Sequence, residues 1–105
     1  MIIDTVESIN GYPIRLTEER WHHIVTKRPF MSGYMNAVLD AVENPEFVLR
    51  GNRGAKIAVL NLGRNQWLQV MYKELKVKGE RDGFIISAYI ESSFNRKQII
   101  WKRDN

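Results

Sequence analysis

The order of hydrophobic patterns along the chain predicts an α+β fold: an N-terminal helical hairpin packed on one face of an antiparallel sheet of about four strands. Two stretches with helical spacing of apolar residues come first, within residues 18–43. Four stretches rich in β-branched and aromatic residues follow, within residues 46–92, on short links that favour an antiparallel meander. No repeat, low-complexity run or linker interrupts them, so residues 1–105 are expected to form a single domain.

The elements follow in order. "GYPIRLT" is a short extended piece, because Pro13 fixes its own φ and pushes Tyr12 towards the extended region. Thr17 then offers an N-cap, and Glu18 and Glu19 suit the positive end of a helix dipole. A helix is predicted from about Glu18 to Lys27, ended by Pro29, with Trp21, Ile24 and Val25 on its buried side. A second helix is predicted from about Gly33 to Glu43, with Ser32 as its cap, and "NP" at Asn44-Pro45 stops it. The predicted strands are "EFVLRG", "KIAVLNL", "QWLQVMYKEL" and "GFIISAYIES", with turns at "GNRG" and "GERDG". In the last strand, strict alternation would put Phe84, Ile86, Ala88 and Ile90 on one face and Ile85, Ser87, Tyr89 and Glu91 on the other.

Composition excludes several chemistries. The chain has no cysteine, which removes disulfides, thiolate nucleophiles and cysteine-ligated zinc and fits a cytoplasmic location. "MIIDTVESIN" carries no basic leader, so no secretory signal is expected, and no apolar run is long enough to suggest a membrane span. Sixteen Lys and Arg against twelve Asp and Glu give a net charge of +4, which favours a polyanion such as RNA as partner. The basic end "NRKQIIWKRDN" is expected to be a solvated terminus, with contact to phosphate as the alternative.

The only two histidines are adjacent, His22 and His23. Neighbours on a helix do not face one atom, so a metal pair is not expected, and neither is a cofactor. A single histidine can still move a proton near neutral pH. Such a site would need a cation for phosphate, for which Arg50, Arg53 and Lys73 are candidates. It would also need a hydroxyl, for which Ser87, Tyr89, Ser92 and Ser93 are candidates. The competing expectation is that both histidines are ordinary surface residues.

The pieces "LTEERWHHIV", "YMNAVLDAVENPEFVLRG", "WLQVMYKE" and "GFIISAYIES", in this order, resemble the barnase–EndoU–colicin–RelE superfamily of small ribonuclease-like domains from phages and bacteria, with the BrnT toxins as relatives. The resemblance implies a metal-independent endoribonuclease that cleaves by attack of a 2′-hydroxyl on the adjacent phosphate, restrained by an antitoxin or immunity protein. Matched residue by residue, it makes His23, Arg50 and Tyr89 the catalytic set and Ser87 a substrate-positioning residue, with Arg53 and Lys73 available to bind RNA. One departure stands out: relatives often carry a histidine in "RHP", where this chain has Arg28 in "KRP". The alternative expectation is a non-catalytic RNA- or protein-binding domain.

Overall fold

The computed structural model describes residues 1–104. Strands β1 (Ile2–Glu7) and β2 (Pro13–Thr17) precede helix α1 (Glu18–Lys27), a 3-10 turn (Pro29–Gly33) and helix α2 (Met35–Glu43). Strands β3 (Phe47–Arg50), β4 (Lys56–Gly63), β5 (Gln66–Val77), β6 (Glu80–Glu91) and β7 (Ile99–Lys102) complete the chain.

These strands form one mixed seven-stranded sheet in the order β1-β2-β6-β5-β4-β3-β7. The expected fold of a helical hairpin on about four antiparallel strands is therefore corrected in three ways. The β3–β6 meander exists but occupies only the middle of the sheet. β1 and β2 form a hairpin that docks on β6 in parallel through Arg15 and Phe84, so "GYPIRLT" is part of the sheet. At the other edge, "IIWK" is no loose basic terminus: it pairs with β3, and Arg103 donates to the backbone oxygens of Asn44 and Pro45.

The helices share one face of this sheet without forming a packed hairpin. α1 rests on β2 and β6, α2 rests on β5, β4 and β1, and the 3-10 turn between them packs against α1. Thr17 caps α1 by accepting a hydrogen bond from the Arg20 amide at 3.1 Å. Ser32 does not cap α2, which starts two residues later than expected behind Tyr34, because Pro29–Gly33 tightens into the 3-10 turn. Ile24, Met31, Val38, Ala41 and Val42 meet Ile14, Leu16, Leu68, Val70, Tyr72, Ile85 and Ala88 in one buried cluster. Burying a side chain of this kind contributes roughly 1.5–3 kcal/mol, so this layer dominates stability.

Two local features shape the strands. Arg64-Asn65 and Lys78-Gly79 close the β4–β5 and β5–β6 hairpins with two residues at positive φ, the requirement of a type I′ turn. The second turn lies earlier than the expected "GERDG", so β5 and β6 extend as a long hairpin. A bulge at Ile86 then breaks the alternation of β6: Tyr72 pairs with Ile85 but Met71 pairs with Ser87. Ile85 and Ala88 are consequently both buried on the helix side, which corrects the strict alternation expected from the sequence.

Tyr72 lies inside this core with its hydroxyl unpartnered. Burial, with the Glu74 charge second, pushes its phenol well above the usual tyrosine range. Leaving such a hydroxyl unsatisfied costs about 1–3 kcal/mol. Tyr72→Phe is thus expected to leave the fold intact and raise the urea midpoint, by the equivalent of ~1 kcal/mol after allowing for lost packing. A lower midpoint would show that the hydroxyl is satisfied.

Candidate functional site

Strand register decides which side chains meet. On the face away from the helices, three rows of β5–β6 pairs follow one another: Gln69 with Tyr89, Met71 with Ser87, and Lys73 with Phe84. At about 3.3 Å of rise per residue, this path from Tyr89 to Lys73 is ~13 Å long. At its Lys73 end, Lys73 Nζ donates to the Arg53 backbone oxygen at 3.0 Å. There too Arg15 lies over the Phe84 ring and pairs with Asp82.

Part of this face is covered. After β6 the chain crosses β5, β4 and β3 to reach the β7 edge. Gln69 Nε2 donates to Ser93 O at 3.3 Å. Phe94 packs on Phe47 and Trp67, with ring centroids 5.3 and 5.0 Å away, and Arg96 stacks on the group. This strap accounts for the burial of Val59 and Gln69 and borders the open path on one side.

The Tyr89 end is bordered by α1. Arg28, the C-cap of α1, places its guanidinium carbon 5.4 Å from the Tyr89 ring centroid. Burial first, and Glu91 second, raise the Tyr89 phenol above its ordinary value against the opposing charge of Arg28. The hydroxyl is therefore a protonated donor at neutral pH.

The six residues singled out from the sequence thus fall into two groups. Tyr89, Ser87 and Lys73 share the open face, with Arg53 tied to Lys73. Arg50 pairs with Lys56, which pairs with Tyr72, so its side chain belongs to the helix-side face. His23, like His22, is exposed on the side of α1 away from the core, and its side chain makes no hydrogen bond or ion pair among the described residues. With α1 on β6 and Arg50 on β3, three strand spacings separate the two elements, ~14 Å in the plane of the sheet.

Arg28 was not among the expected site residues. No pattern in the sequence marks it, because its approach to Tyr89 depends on how the end of α1 docks beside β6. Among the described residues no group of three or more His, Cys, Asp or Glu gathers as metal ligands, and no helix is long and apolar enough to cross a membrane. Compared with protein-family models, curated proteins and solved structures, the chain matches none.

Proposed function

We propose that the protein binds single-stranded RNA along the open path from Arg28 and Tyr89 to Lys73 and Arg53. The observation that carries this is the register that sets Tyr89, Ser87 and Lys73 in successive rows of one half-exposed surface, with cations at both ends. Single strands are held by cations that follow the phosphates and by aromatic faces on which bases stack. Tyr89 and Phe84 supply the aromatic groups, and Arg28, Arg53 and Lys73 supply the charge. The net charge of +4 and the resemblance to RNA-cleaving domains support the same partner.

Binding without cleavage is the preferred form of this reading. Cleavage, and with it an antitoxin or immunity partner, rests on the resemblance and requires His23 and Arg50 at one phosphate. The separation of those two residues favours binding.

Fluorescence anisotropy with a labelled single-stranded RNA tests the proposal. About three neutralised phosphates give a salt slope near −2, so affinity should fall roughly 20-fold between 50 and 200 mM salt. The double substitution Arg53→Ala with Lys73→Ala should weaken binding at low salt and flatten that slope. An affinity indifferent to both salt and substitution would sink the proposal. Incubation with RNA in EDTA separates the two forms: products that vanish in His23→Ala would establish cleavage instead.

A further inference from the structure

Arg28 Nη1 and Tyr72 Oη are the side-chain polar atoms that lie buried without a hydrogen-bond partner among the described residues. The two differ in setting. Tyr72 is sealed in the core. Arg28 is only half-buried, stands at the end of the open path, and takes part in no ion pair among the described residues. It is held by stacking on Tyr89 at 5.4 Å, not by a carboxylate. A guanidinium placed in this way keeps its donors for an incoming acceptor. An unsatisfied buried donor also raises the energy of the unliganded state, so an anion that satisfies it binds with added advantage.

We propose that Arg28 and Tyr89 form an oxyanion anchor for a phosphate group, in which the guanidinium turns Nη1 away from the tyrosine ring and the Tyr89 hydroxyl donates to the same phosphate. The planar fork of arginine matches two oxygens of such a group, which lysine cannot do. The Glu91 charge that raises the Tyr89 phenol also opposes an anion here, so binding depends on both donors together. The ligand chemistry is a phosphate oxyanion, either free or within an RNA backbone; only the second source rests on the RNA-binding reading above.

The experiment uses the whole chain with inorganic phosphate and, separately, a short oligouridylate as probes. The Arg28 Nε–Hε resonance, identified by its loss in Arg28→Lys, is followed in proton–nitrogen spectra, which also report that each variant is folded. Phosphate should shift it saturably, whereas chloride at equal ionic strength should not. In Arg28→Lys the affinity for both probes should fall about tenfold although the charge is kept. Tyr89→Phe should lower it by a smaller factor. If oligouridylate binds the wild type and Arg28→Lys equally and phosphate leaves the resonance unmoved, the anchor is overturned while RNA binding stands. If phosphate binds at Arg28 but oligouridylate does not bind the protein, the anchor stands and the RNA reading fails.

Discussion

Gly83→Ala is expected to destabilise the protein by about 3 kcal/mol or more, and Gly83→Val to prevent stable folding. Gly83 is buried at the crowded junction of β2, β5 and β6. An added Cβ would lie 2.6 Å from the Lys73 backbone oxygen, 3.0 Å from the Pro13 oxygen and 2.5 Å from Ile14 Cδ1. The isoleucine tip can rotate away, but the two oxygens are fixed in neighbouring strands. Relief therefore requires those strands to separate where β2 meets β6, at Arg15 and Phe84. A domain of this size has only about 5–15 kcal/mol of stability in total, so the loss is a large fraction of it. Urea denaturation followed by tryptophan fluorescence measures the effect. An unchanged midpoint in Gly83→Ala would mean that the strands yield there at little cost.

The second large effect is expected at Glu74, whose side chain is 6% exposed. Its carboxylate accepts hydrogen bonds from the Ser8 hydroxyl, from Asn10 Nδ2 at 3.0 Å and from Lys56 Nζ at 3.1 Å. Burial alone would raise its pKa. The bonds from Ser8, Asn10 and Lys56, with the lysine charge, outweigh burial and hold it below the ordinary carboxylate value. Glu74→Ala strands all three donors, one of them a partly buried ammonium, and should cost about 3 kcal/mol, the lower end for breaking a buried pair because Lys56 can still reach water. The sign with pH follows from the depressed value. The contribution is complete above the unfolded carboxyl pKa of ~4.3 and disappears as pH falls through the lower folded value. The stability gap between wild type and Glu74→Ala, measured by denaturation from pH 7 downwards, should narrow below about pH 4.3. A gap that widened on acidification would show that the carboxylate is destabilising in the fold.

Some of this architecture was legible in the sequence, and particular residues show why the rest was not. α1 carries its own signals: Thr17 as cap, two glutamates in the first turn, and Pro29 beyond its end. β4, β5 and β6 announce themselves by β-branched and aromatic content. β1 does not, because most of "IIDTVE" is exposed and gives no clear period. β7 was hidden by its basic neighbours and by a length of four residues. The bulge at Ile86 leaves no mark in composition, yet it reverses the face of every residue before it relative to those after it. The candidate site was legible to the same extent. Ser87 and Tyr89 follow the bulge and share a face as expected, and Lys73 joins them through β5. Arg50 does not, because its face depends on the pairing of β3 with β4 across the turn at Asn52–Gly54, where Arg53 takes a positive φ of 55°.

The strand order also sets how the chain can reach this structure. Pairing along β3, β4, β5 and β6 proceeds between neighbours through tight turns, at small entropic cost. Both edges must close over long distances: Arg15 reaches Asp82 across 67 residues, and Arg103 reaches Pro45 across 58. Loop closure of this kind has to be completed before its contacts reward it, which slows folding relative to domains held by local contacts. The central meander is then the natural early nucleus. Until the β1–β2 hairpin arrives, β6 presents an open edge on which a second unfinished chain can pair.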